Sequence, residues 1–200
     1  MSDQRKPFSR RKFLATTALG AAYLAEKLAP DRAFGAAAAR IIEPIFQGET
    51  NAEKRIRIAA CLLVDVGAWF HPDLRGEQAF DTAARAPFVA VTHAERAVIA
   101  YALFVRHDGA KAAPPSEIVN LLDDRQRTMA QRIGLALRFL AALSPKAPGP
   151  LAASALSIED GFLVFAAPRR LQPLMDEGPR PRFQALAASF GLKAQERYEG

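Results

Sequence analysis

Apolar side chains recur at three- and four-residue spacing through most of the chain, and this periodicity predicts a mainly helical protein. Thr50 or Asn51 can cap one helix, with Glu53 in its first turn. Thr92 and Glu95 have the spacing of a capping box and begin another. We predict helices over residues 14–28, 33–46, 51–66, 75–86, 93–105, 116–143 (with Ser116 as its cap), 169–176 and 179–190.

The pattern changes after residue 150. Two short apolar runs, residues 155–159 and 162–166, are separated by Asp160-Gly161, which predicts a β-hairpin. Gly191 is a natural end for the last helix. The expected fold class is mainly α, with a basic amino-terminal arm (residues 1–34), a multi-helix domain (35–146) and a small α+β unit with a β-hairpin (151–200).

The positive charge of the chain is concentrated at its amino terminus. The formal net charge of the 200 residues is +6. Residues 1–40 hold eight Lys or Arg and three Asp or Glu, whereas residues 41–200 hold nineteen and eighteen. The body is therefore nearly neutral, which argues against a nucleic-acid partner for the whole protein. Local basic clusters in the body remain compatible with this distribution.

The amino-terminal arm admits two interpretations. Arg10 and Arg11 precede an apolar run from Leu14 to Ala25, as in a twin-arginine export signal, and residues 36–38 resemble a cleavage site. Charged residues between 26 and 32 weaken that match and favour an uncleaved amphipathic helix. We expect a cytoplasmic protein, with periplasmic export as the alternative. The apolar run is too short for a membrane span.

The common catalytic signatures are missing from the sequence. It contains no Gly-rich loop ending in Gly-Lys-Ser/Thr, no Gly-x-Ser-x-Gly and no His-Glu-x-x-His. Cys61 is the single cysteine and lies in an apolar run, where a small buried core residue is expected. We assign no catalytic residue from these patterns.

Several stretches together carry a resemblance to a known family. They are residues 59–67 (AACLLVDVG), 70–77 (FHPDLRGE), 100–109 (AYALFVRHDG), 132–138 (RIGLALR) and the hairpin at 160–161. In order and spacing they resemble the carboxy-terminal part of the exopolyphosphatase and guanosine-pentaphosphate phosphatase family. The resemblance covers about residues 22–195 and implies that the helical domain is HD-like.

The resemblance bears on metal binding, because HD-type phosphohydrolases hold metals with a His-Asp pair. The matching pair here is Val64-Asp65, which lacks the imidazole. Asp65, His71 and His107 are candidate ligands for one divalent ion such as Mg²⁺ or Mn²⁺, although no cofactor is expected to be required. A degenerate metal-dependent phosphohydrolase is thus one alternative. In the other, Asp65 pairs with a nearby Arg or His, as a buried carboxylate needs a partner.

The resemblance also implies that phosphatase chemistry belongs to actin-like lobes, which we do not expect within these residues. Enzymatic activity of the chain alone is therefore uncertain. We expect polyphosphate to bind Arg106, His107, Arg132 and Arg138, since guanidinium groups match phosphate oxygens. Further expected partners are separate actin-like lobes or a second copy of the chain. As an alternative to phosphate binding, these arginines lie on a solvated surface. As an alternative function, the chain is an exported helical interaction module.

Overall fold

The computed structural model of the chain describes residues 32–88, 90–115 and 117–200. The helix predicted at 14–28 and the arginine pair of the arm fall outside these residues. Within the described ranges, no helix is long and apolar enough to cross a membrane. Seven α-helices are present there: α1 (Arg32–Ile42), α2 (Asn51–Leu62), α3 (Arg75–Arg85), α4 (His93–Asp108), α5 (Asp124–Leu143), α6 (Pro148–Ala152) and α7 (Pro179–Ser189).

Both threonine caps lie at the starts of helices. The Thr50 hydroxyl accepts a hydrogen bond from the Glu53 backbone amide at the start of α2. The Thr92 hydroxyl accepts one from the Glu95 amide at the start of α4. In each case the glutamate reaches back to the threonine backbone amide, which completes a capping box. Helix α2 ends at Leu62 rather than at residue 66, because residues 63–69 form a series of turns.

The long helix begins later than predicted. Residues Glu117–Leu121 form a 3-10 helix, and α5 begins only after Asp123. The Asp123 carboxylate accepts a hydrogen bond from the Gln126 backbone amide, and the Gln126 side-chain oxygen accepts one from the Asp123 backbone amide. This Asp-x-x-Gln capping box has the same physical basis as the two threonine caps. Ser116, the predicted cap, lies outside the described residues.

A three-stranded sheet follows α6. Strands β1 (Ala155–Glu159) and β2 (Phe162–Pro168) form the predicted antiparallel hairpin, with positive φ at Asp160 and Gly161. Strand β3 (Lys193–Glu199) pairs parallel to β2 and gives the order β1-β2-β3. Sequence analysis missed β3, because its residues, Lys-Ala-Gln-Glu-Arg-Tyr-Glu, are mostly polar and contain no β-branched side chain.

One hydrophobic core joins the helical part to the α+β unit. Phe139 of α5, Phe165 of β2 and Phe183 of α7 form an aromatic cluster, with ring centroids 5.1–6.1 Å apart. All three side chains are fully buried. The two predicted units therefore pack on each other through α5.

Candidate anion-binding site

Basic side chains converge on a cavity of about 390 Å³. Its walls come from the starts of α1, α3 and α7, the turns that follow α2, and the C-terminal ends of α4 and α5. In the described part of the chain, a single carboxylate, that of Asp65, lines it. We call it the cationic cavity after its five permanently basic residues: Arg75, Arg106, Arg138, Lys146 and Arg182.

Arg106 lies in the last turn of α4, and its guanidinium forms an ion pair with Asp65 at 3.6 Å. Burial lowers the pKa of Arg106 to about 10. The Asp65 charge opposes this shift, whereas the guanidiniums of Arg138, Arg75 and Arg182 add to it. Arg106 is still charged at neutral pH, and its lowered pKa reflects mainly its burial.

Arg138 has a structural contact as well as a place in the cavity wall. Its Nη1 donates to the carbonyl oxygens of Arg106, at 3.3 Å, and of His107. These carbonyls belong to the last turn of α4, where backbone carbonyl groups have no hydrogen-bond donor within the helix. Burial lowers the pKa of Arg138, Arg182 adds to that effect, and Asp108 opposes it. Arg138 therefore caps α4 while keeping its charge beside the cavity.

Two further arginines are held by backbone oxygens. The Arg75 Nε donates to the Phe70 carbonyl at 2.9 Å, and the Arg182 Nη1 donates to the Gly178 carbonyl at 3.0 Å. A neutral carbonyl orients a guanidinium without cancelling its charge, so both side chains keep their capacity to bind an anion.

His107 lines the cavity but adds no charge to it at neutral pH. Burial lowers its pKa to about 3, and the neighbouring charges of Arg106, Arg75 and Arg138 act in the same direction. A hydrogen bond with the Val66 backbone opposes the shift. With five cations, one carboxylate and a neutral imidazole, the residues lining the cavity have a net charge of +4.

The three candidate metal ligands do not form a cluster. Asp65 and His107 line the cavity, whereas the His71 side chain is 67% exposed outside it, with Nδ1 3.5 Å from Asp73. Across residues 32–88, 90–115 and 117–200, no group of three His, Cys, Asp or Glu is placed to hold a metal ion. The strong positive charge around Asp65 and His107 likewise does not fit a divalent cation.

Arg132 lies apart from the other predicted phosphate ligands. It lines a second cavity, of about 640 Å³, between α5, the segment that joins α1 to α2, and the α+β unit. Its guanidinium stacks 4.3 Å from the centroid of the Phe190 ring, and its Nε donates to the Ser189 carbonyl at 3.0 Å. Thus Arg106, His107 and Arg138 of the predicted set meet in the cationic cavity, and Arg132 does not.

Sequence reasoning missed three cations of the site. Arg75 stands in the stretch at 70–77 that carries the family resemblance, and Arg182 belongs to a basic Arg-Pro-Arg cluster. Both signals were visible, but neither indicated which residues would meet. Lys146 follows Pro145 at the end of α5, and nothing local distinguishes it from a surface lysine. Their convergence is a product of tertiary packing.

A comparison with protein families identifies the chain. The family model for the carboxy-terminal domain of exopolyphosphatase matches residues 36–196. The chain belongs to this family. A search of curated proteins found no match. The match to the exopolyphosphatase carboxy-terminal domain includes every charged residue of the cationic cavity, from Asp65 to Arg182.

Proposed function

We propose that this exopolyphosphatase carboxy-terminal domain binds polyphosphate in the cationic cavity. The supporting observation is that five basic side chains converge on about 390 Å³ with one carboxylate among them. Like charges at close range repel each other, so the arrangement costs folding free energy unless an anion neutralises it. A linear chain of phosphates supplies several negative charges in a small volume.

The chemistry of the cations supports phosphate over a simple anion. Four of the five are arginines, whose planar guanidinium presents paired donors to two oxygens at once. Arg75 and Arg182 are oriented by backbone oxygens, which reduces the entropy that they lose on binding. The same features make arginine suitable for nucleic-acid backbones, although the nearly neutral body lacks the extended basic surface of such proteins.

Binding is measured by calorimetry with long-chain polyphosphate over a series of salt concentrations. Trp69, the single tryptophan, gives a second signal, because it adjoins Ala68 in the cavity wall and is 80% exposed. We expect affinity to fall steeply as salt rises, since bound counterions are released. Absence of binding at low salt would refute the proposal.

Arg182→Ala and Lys146→Ala test the location of the site. Each removes one cavity charge without removing the cap that Arg138 provides to α4. Each should weaken binding and reduce the slope of log K against log salt by roughly 1. Arg170→Ala is the matched control, because Arg170 is exposed and lies outside the cavity. An equal loss with Arg170→Ala would indicate non-specific charge attraction instead.

Arg132→Ala tests whether Arg132, which the sequence predicts to bind polyphosphate, belongs to the binding site. If polyphosphate occupies the cationic cavity alone, this variant should bind nearly as well as the parent protein. A loss as large as that of Arg182→Ala would extend the site to the second cavity. Melting temperatures of both variants show whether lost packing on Phe190 contributes.

We infer a second role for the cavity mouth in polyphosphate-dependent dimerisation. Trp69, Phe70 and Leu74 are 80%, 42% and 50% exposed, and the same stretch supplies Pro72 and Arg75 to the cavity wall. Exposed apolar side chains concentrated in six residues are typical of an interaction surface. Two copies meeting there would bring two cationic cavities together, so a shared polyanion should be needed to offset the repulsion.

Sedimentation with and without polyphosphate measures this second role. The parent protein should shift from monomer to dimer when polyphosphate is added. Trp69→Ser should bind polyphosphate with similar affinity, measured by calorimetry, but remain monomeric. A dimer without polyphosphate, or one that Trp69→Ser leaves intact, would contradict the inference. In that case the surface is available for a different chain, such as separate phosphatase lobes.

A further inference from the structure

Asp65 is the one carboxylate that the described part of the chain contributes to the cationic cavity. It lies in the turns after α2 and is only 4% exposed. Its Oδ1 is 3.6 Å from the Arg106 Nη2. A buried charge at the wall of an anion site acts on any ligand there with little screening by salt.

The effect of this carboxylate on a bound anion has a definite sign. Asp65 offsets one of the five positive charges, and its negative charge repels each negative charge of the ligand. The repulsion is repeated for every charge that the ligand carries, so Asp65 weakens a highly charged anion more than a weakly charged one. It also stabilises the empty cavity, because its negative charge partly offsets the repulsion among the cations.

Resting on the proposed function, we propose that Asp65 limits the affinity of the cavity for polyphosphate and keeps its binding reversible. Without the Asp65 charge, the four arginines and the lysine would hold a polyanion more tightly. Asp65 pairs with Arg106 when the ligand is absent, and competes with the ligand for Arg106 when it is present. It is an affinity-setting residue, and its action grows with the charge of the ligand.

The geometry favours an electrostatic role for Asp65 over one of orienting Arg106. At 3.6 Å, the Arg106–Asp65 contact is an ion pair longer than a good hydrogen bond. The Arg106 guanidinium also lies 3.2 Å from the His107 Nδ1, and its backbone is fixed by the last turn of α4. Removal of the Asp65 charge should therefore leave Arg106 in place beside the cavity.

Asp65→Asn tests the proposal with orthophosphate and tripolyphosphate as the two probes. This variant keeps the size of the side chain and removes its charge. In calorimetry at fixed salt and pH, the dissociation constant should fall roughly threefold for orthophosphate and tenfold or more for tripolyphosphate. Asp73→Asn is the matched control, because the Asp73 side chain is 85% exposed outside the cavity, and it should change both constants little.

Each outcome decides the question. Weaker binding by Asp65→Asn, or an equal change in affinity for the two anions, overturns the proposal about Asp65. The proposed function still stands in that case if the parent protein binds the anions. A parent protein that binds neither anion at low salt overturns both. If Asp65→Asn is folded but too unstable for calorimetry, thermal unfolding replaces it: its melting temperature should rise more with tripolyphosphate than that of the parent. An equal or smaller rise contradicts the proposal.

Discussion

Gly134 of α5 lies against the backbone of Ala102 in α4, so closely that a Cβ at position 134 would be 2.5 Å from the Ala102 carbonyl oxygen. The same Cβ would meet the Val105 side chain at 2.6 Å. Four residues after Ala102 comes Arg106, and four residues after Gly134 comes Arg138. Residues four apart share a helix face, so this close crossing brings the two arginines to the cavity.

Gly134→Ala should destabilise the protein by about 1–3 kcal/mol, because the added methyl group meets backbone that cannot easily move. The helices must separate locally, which also shifts Arg106 relative to Arg138. Urea unfolding gives the free energy, and the binding assay gives the effect on the site. Gly149→Ala is the control, since a Cβ there has no neighbour within 4 Å. Equal stability of the two variants would contradict the crossing described here.

The helical periodicity and capping residues predicted most of the fold. The caps at Thr50 and Thr92 and the hairpin at Asp160-Gly161 are local signals, and each occurs where the sequence indicated. Strand β3 was missed because its pairing with β2 decides its structure, whereas its own composition does not. Local chemistry thus predicts helix starts and tight turns better than it predicts an edge strand.

The site was only partly predictable for a related reason. Arg106 and His107 are neighbours in sequence, and Arg138 shares a helix with Arg132. Sequence could not decide between Arg132 and Arg138, which lie six residues apart and so face different directions on α5. The crossing of α5 with α4 makes that choice, and it places Arg138 at the cavity and Arg132 beside Phe190.

Arg57 and Glu49 form a buried ion pair whose disruption should be costly. The Arg57 side chain is fully buried, and its Nε and Nη2 donate to Glu49 at 2.9 and 2.6 Å. Glu49→Gln leaves the buried guanidinium without its counter-charge and should cost about 3 kcal/mol in urea unfolding. The more exposed pair of Arg180 and Glu196 supplies the comparison.

Glu196→Gln should cost less than about 1 kcal/mol, because water screens the Arg180–Glu196 pair. The two variants make the same chemical change in a carboxylate that accepts two bonds from an arginine. Similar losses would mean that burial does not set the strength of the Glu49 pair. Circular dichroism of both proteins before unfolding confirms that the starting states are comparable.

His107 should make the folded protein sensitive to acid. Its pKa is about 3 in the folded state against 6.5 for an ordinary histidine, mainly because of burial. Between these values the unfolded state binds the proton and the folded state does not, so stability falls as pH decreases from 6.5 toward 3. His107→Gln cannot take up this proton and should lose about 2–3 kcal/mol less than the parent between pH 7 and 4.5.

Urea unfolding of both proteins at pH 7 and pH 4.5 measures this difference. Carboxylates also titrate in that range, but they are common to both proteins and cancel in the comparison. His71→Gln is the control, because the His71 side chain is 67% exposed. If His107→Gln and the parent lose the same stability on acidification, the imidazole is protonated freely in the folded state.

Cys61 should be inert in the folded protein and so report its unfolding. The side chain is fully buried in α2, and this burial raises the pKa of the thiol to about 12, although the nearby Arg57 charge opposes the shift. A disulfide reagent at pH 8 should therefore react only when the core opens. The labelling rate should rise with urea along the unfolding transition and rise further in Glu49→Gln, whose lost ion pair adjoins Cys61 through Arg57. Rapid labelling of the native parent protein would place the thiol at the surface and contradict its burial in the core.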